Sequence, residues 1–229
     1  MENQLLDLWA ALETLLPKNT ESKKDRIVQL CDSLVPFLQL NYIHKLLNEL
    51  YCDFKFWNNK LIEEKLSKIP NSSDMSTLEK MGALVTLEST EQLRLELYEK
   101  LSDHPLLKNR LYSLHESLAS TNSIDKLLNS HYVKINWHLR RIYRTRGLII
   151  HSGKKPSYTS TLIENLHNYL DLFLVRLIEL SISGNVTTIE QGVLETELTL
   201  KYQLGLLEKH KNEMLTLENF KEALLGEKE

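Results

Sequence analysis

The stretch Leu139-Arg140-Arg141-Ile142-Tyr143-Arg144-Thr145-Arg146-Gly147-Leu148-Ile149-Ile150-His151-Ser152-Gly153 decides how this chain is read. Its apolar residues recur at three- and four-residue intervals, and Gly153 followed by Pro156 supplies a stop, so the spacing predicts the last turns of a helix. Upstream the pattern extends to about residue 124, giving one long helix over about 124–152. At roughly 100° per residue, Leu139, Ile142, Tyr143, Ile149 and Ile150 share one apolar face, with Arg146 in its middle. An arginine in that position is costly unless a carboxylate or other acceptors meet it.

The rest of the chain follows the same helical pattern. Leu5, Leu6, Leu8, Trp9, Leu12, Leu15 and Leu16 predict a first helix closed by Pro17. A second is expected from about Ser22 to Val35, interrupted by Pro36, with apolar periodicity resuming through Trp57 and on to Ile69. Ser76 or Thr77 caps a helix through Leu87. Thr90–Leu101 and Leu106–Leu118 read as two more, divided by Asp103-His104-Pro105. An almost uniformly apolar helix runs from about Thr161 to Leu180, a composition that suits a core or a subunit interface. Two amphipathic helices complete the chain, Thr188 to about His210 and Leu217 to Leu225. With seven glycines, five prolines and no strand pattern in 229 residues, the expected class is all-α without a sheet.

Charge is unevenly distributed. No acidic residue occurs between Asp125 and Glu164, and that stretch holds eight basic ones: Lys126, Lys134, Arg140, Arg141, Arg144, Arg146, Lys154 and Lys155. The chain as a whole has 28 basic and 31 acidic side chains, so the remainder carries 20 against 31, or −11. Such a focus of positive charge on an acidic background marks either an anion site or a solvated basic helix face. The two cysteines, Cys31 and Cys52, lack metal-ligand spacing and are expected to be reduced core thiols of a cytoplasmic protein. No apolar run approaches the roughly 18 residues that cross a bilayer, and the first residues lack a signal-peptide pattern. No cofactor motif or metal cluster is legible.

Arg146 and His151 form an Arg-x4-His spacing. RNA cleavage by the adjacent 2′-hydroxyl requires a base at that oxygen, an acid at the leaving 5′ oxygen and positive donors on the phosphate. Histidine titrates in the useful range, and the guanidinium fork suits phosphate oxygens. A regular helix sets the two side chains roughly 140° apart, so convergence requires a frayed last turn or a second copy of the helix. Arg144 and His151 share a face without such help. Arg110 and His115 repeat the spacing, with Glu116 beside the histidine, and read as a coincidence. The purely structural reading makes Arg146 an ion-pair residue and His151 a helix C-terminal residue near the dipole.

The segment Ile142–Gly153 resembles the signature of HEPN domains of the ApeA-like branch, and Leu8-Trp9-Ala10-Ala11-Leu12-Glu13 resembles that family's first-helix pattern. The resemblance spans most of residues 5–183, with residues 184–229 as a C-terminal helical extension. It implies a HEPN-like helical bundle with additional N- and C-terminal helices, and a homodimer with a composite active site. The implied activity is metal-independent cleavage of single-stranded RNA or tRNA loops, leaving 2′,3′-cyclic phosphate ends, in a toxin–antitoxin or antiphage setting with an antitoxin or defence partner. Carried over, Arg146 and His151 are the catalytic pair, and Arg140, Arg144, Lys154 and Lys155 hold phosphate or RNA. Gly147 stands where that family usually has a polar residue, and a glycine there is expected to loosen the turn that aims His151. Glu13, at the edge of the first helix's apolar face, is expected to pair with Arg146 and orient it. A catalytically silent HEPN-like module for dimerisation and RNA or protein binding is the alternative. A sensor or effector portion of a longer defence protein is a third.

Overall fold

A computed structural model describes residues 2–17, 24–154, 156–184, 186–211 and 213–225. The described residues form nine α-helices: α1 Glu2–Leu15, α2 Arg26–Ser67, α3 Thr77–Thr86, α4 Glu91–Lys100, α5 Pro105–Leu118, α6 Thr121–Ser152, α7 Thr159–Ile182, α8 Ile189–Lys209 and α9 Phe220–Leu225. One 3₁₀ turn, Glu88–Thr90, precedes α4. No strand forms among them, and the sole bridge pairs Ser120 with Met214. The all-α class is therefore established. No helix among the described residues is long and apolar enough to cross a membrane.

Packing divides the chain into two compact units, Met1–Asn41 with Ser130–Leu200, and Tyr42–Asn129 with Lys201–Glu229. The expected boundary between 183 and 184 falls inside the first unit, and residues 42–129 and 201–229 make up the second. The reason lies in the side chains. Residues on α3, α4, α5 and α9 are buried together with Leu47, Leu50 and Phe54 of α2 in a second core, which local periodicity does not reveal.

In the first unit, α1 packs on α7. Its core holds Leu5, Trp9 and Leu12 from α1, Leu30, Leu34 and Phe37 from α2, Leu139 and Ile142 from α6, and Leu162, Leu166 and Phe173 from α7. Phe37 and Phe173 meet edge-on at 4.7 Å, and Trp9 approaches Tyr143 with ring centroids 5.7 Å apart. The second helix does not stop at Pro36 as expected; α2 continues through it. A proline inside a helix costs about 3 kcal/mol. Its neighbours Leu34, Val35, Phe37 and Leu38 are all buried in this core, at roughly 1.5–3 kcal/mol for each side chain, so burial wins. Ser22, where that helix was expected to begin, lies outside the described residues.

In the second unit, Asn58 departs from helical geometry (φ −159°, ψ 85°), and its side-chain oxygen accepts the Leu61 N–H at 3.1 Å, recapping the rest of α2. Ser76 caps α3 as expected, in a capping box: the Glu79 N–H donates to Ser76 Oγ at 3.2 Å, and the Ser76 N–H donates to the Glu79 carboxylate. Arg94, 5% exposed, donates to the Leu84 and Leu87 carbonyls at 2.9 and 2.6 Å and closes the far end of α3. Cys31 is buried in the first core, which pushes its thiol up to about 11. Cys52 corrects the expectation of two core thiols: it is free but exposed, on the outer side of α2.

Candidate nucleic-acid interface on helix α6

Helix α6 is helical without a break from Thr121 to Ser152, and it ends where Gly153 takes a left-handed φ of +59°. The Gly153 and Lys154 N–H groups return to the Ile149 and Leu148 carbonyls at 3.1 and 3.3 Å. The turn containing Gly147 lies within this continuous helix. An added Cβ at Gly147 would meet nothing within 4 Å, so that turn presents bare backbone.

Arg146 sits on the inner side of the helix. Leu139 and Ile142 are fully buried, Tyr143 and Ile149 are partly buried, and Ile150, at the edge of that face, is exposed. Arg146 Nη2 lies 3.5 Å from Glu13 Oε2 on α1, with the two side chains 31% and 23% exposed. The pairing expected of Glu13 is thus present, long rather than tight. Glu13 itself is held by an element that sequence reasoning missed. Arg26 at the start of α2 donates to the backbone carbonyls of Glu13 and Pro17 at 2.9 and 3.1 Å, capping the C-terminal end of α1.

A half-exposed pair at this separation contributes little, so Glu13→Gln is expected to cost no more than about 1 kcal/mol. A double-mutant cycle with Arg146→Gln, read by urea denaturation, should show a coupling of the same small size. Strictly additive single effects would show that the pair is not formed in solution.

His151 is exposed and forms no hydrogen bond or ion pair with any described residue. It does not meet Arg146, and because α6 is regular to Ser152 a frayed last turn does not bring them together within one chain. On α6, Trp137, Arg140, Arg144, Gly147 and His151 instead fall on one outer stripe about 80° wide. Arg140, Arg144 and Lys154 are exposed, and neither arginine has a carboxylate partner among the described residues. Lys155 lies outside the described residues. Trp137, Arg140, Arg141, Tyr143 and Arg144 line a groove of about 480 Å³ together with Ile27 of α2. Arg141 stacks on Tyr158, its guanidinium carbon 4.3 Å from the ring centroid.

Beside this stripe, His138 shares a 3.0 Å hydrogen bond with Tyr169 on α7. Burial, with the Arg141 guanidinium adding to it, holds the imidazole below its ordinary value of 6.5. A depressed histidine favours the neutral form in the folded state. Its contribution to stability is complete above about pH 6.5 and is lost as pH falls through the folded value. Melting temperatures between about pH 7 and pH 5 should therefore drop less steeply for His138→Gln than for the wild type. Parallel curves would remove His138 as a source of acid sensitivity.

The second Arg-x4-His spacing is fully engaged in structure. Arg110 pairs with Glu49 at 2.8 Å and with Asp53, and His115 Nδ1 lies 2.7 Å from the Val85 carbonyl. Among the described residues no three His, Cys, Asp or Glu side chains are placed to hold a metal ion. The chain matches no protein-family model, and no curated protein or solved structure matches it.

Proposed function

We propose that α6 is the RNA-facing element of a HEPN-type, metal-independent endoribonuclease acting on single-stranded RNA or exposed tRNA loops, in a toxin–antitoxin or antiphage setting. One observation carries the reading: an exposed stripe of arginines leads along α6 to an exposed histidine, and none of these side chains has a carboxylate partner among the described residues. In this reading Arg140 and Arg144 bind phosphate, with Lys154 and Lys155 beyond them. His151 takes the proton from the 2′-hydroxyl as its oxygen attacks phosphorus. The 5′ oxygen leaves with a proton from a second acid, and the guanidinium groups offset the charge gathering on the phosphorane. The products are a 2′,3′-cyclic phosphate and a free 5′-hydroxyl.

A single copy of α6 offers one such histidine, so the second acid comes from a second copy in a homodimer, and Arg146 reaches the phosphate only on release from Glu13. The catalytically silent RNA-binding module is the second reading. It is favoured by the Glu13–Arg146 ion pair, which occupies the arginine on the side away from His151.

Incubating the purified protein with total cellular RNA in excess EDTA decides between them. Wild-type cleavage that leaves cyclic-phosphate ends and is absent in His151→Ala supports the enzyme. RNA binding without cleavage by a dimeric protein supports the silent module.

A further inference from the structure

The groove on α6 holds more than phosphate ligands. Trp137 is 72% exposed, an unusual state for so large an aromatic ring, and it lies one turn before Arg140 and two before Arg144 on the same stripe. Tyr143, Arg141 and the apolar Ile27 form the rest of the wall. A ring flanked by guanidinium groups with no carboxylate partner among the described residues suits a ligand that is both flat and anionic. A nucleobase with its phosphates is such a ligand, because every base has a π-face to stack and a phosphate within reach of the arginines. A duplex, whose bases are already stacked on one another, would leave the Trp137 face unused.

We infer that Trp137 is a base-stacking subsite for single-stranded RNA, with Arg140 and Arg144 clamping the adjoining phosphates. The inference rests on the proposed RNA-facing role of α6 and deepens it by naming where a base docks. Trp137 and His151 are fourteen residues apart, roughly 21 Å along the helix axis. At roughly 3.4 Å per stacked nucleotide, a strand seated on Trp137 reaches His151 about six nucleotides away. Gly147 lies between Arg144 and His151 on this path, where its bare backbone lets the strand pass close to the helix.

The test is fluorescence anisotropy with a labelled 2′-O-methyl oligoadenylate of about twelve nucleotides, long enough to span the stripe and unable to react through its 2′ oxygen. Trp137→Ala is expected to weaken binding by about 5- to 100-fold, while Trp137→Phe keeps most of the affinity. Stacking releases no counterions, so the salt dependence of binding should be the same for Trp137→Ala as for the wild type. Arg144→Ala should instead reduce the salt slope by about one. Equal affinity of Trp137→Ala and wild type would overturn the subsite. So would equal competition by duplex RNA or polyglutamate, because neither offers a free base face.

The outcome is separable from the catalytic reading. Trp137-dependent binding without RNA cleavage in EDTA leaves the subsite standing and removes the nuclease. Cleavage that Trp137→Ala does not alter, with unchanged affinity, does the reverse.

Discussion

On the proposed ribonuclease reading, His151→Ala is expected to lower the rate of RNA cleavage in EDTA by about 10²–10⁴-fold, the range for loss of a general acid–base group. The same change should leave the fold intact. The side chain is exposed at the end of α6 and binds nothing among the described residues, so its removal should shift stability by no more than about 0.5 kcal/mol. The α6 terminus does not depend on it, because the closing hydrogen bonds come from the Gly153 and Lys154 backbone. Initial rates measured beside a urea titration of the same preparation separate chemistry from folding. A variant that cleaves as fast as the wild type would place the activity elsewhere.

Trp9→Ala should have the largest effect on stability, about 3–5 kcal/mol, because Trp9 is fully buried at the centre of the first core. The ring lies against Tyr143 of α6, and its own helix packs on α7, so the cavity would open between elements that carry the candidate site. Glu13 sits one turn further along the same helix, and its ion pair with Arg146 should weaken together with the docking of α1. Urea denaturation of Trp9→Ala and Trp137→Ala makes the comparison internal, since the exposed tryptophan should cost at most about 0.5 kcal/mol. A loss below about 1 kcal/mol for Trp9→Ala would mean that α1 is not docked as the structure has it.

Local signals along the chain had different reach. Capping was legible at Ser76, because a serine followed three residues later by glutamate satisfies two helix N–H groups whatever the surroundings. The end of α6 at Gly153 was legible for a similar reason, since a left-handed residue there needs no side chain. Pro36 misled because its local cost is offset by buried neighbours that come from distant segments. Asn58, in a stretch that reads as continuous helix, is recognisable as a cap only from its hydrogen bond to Leu61. Cys52 was misplaced because helical periodicity gives no sign of which face of α2 is covered beyond Asn41.

The candidate site divides in the same way. Its cationic character is a property of composition, as eight basic residues without an acidic one make any helix built from them an anion-attracting surface. Arg26 gave no sequence signal, because its role depends on the end of α1 arriving at its side chain. Trp137 gave none by itself either, because helical spacing does not show that its ring stays exposed.

By itself, then, the order of residues determined that this chain is helical, where α6 ends and where its positive charge gathers, since periodicity, capping and charge act over a few neighbouring residues. Tertiary structure alone decided that residues 42–129 and 201–229 form a second core, that Arg26 caps the end of α1, and that Cys52 stays exposed. Those outcomes depend on which distant side chains come to share a buried volume, and the packing of the whole chain sets that.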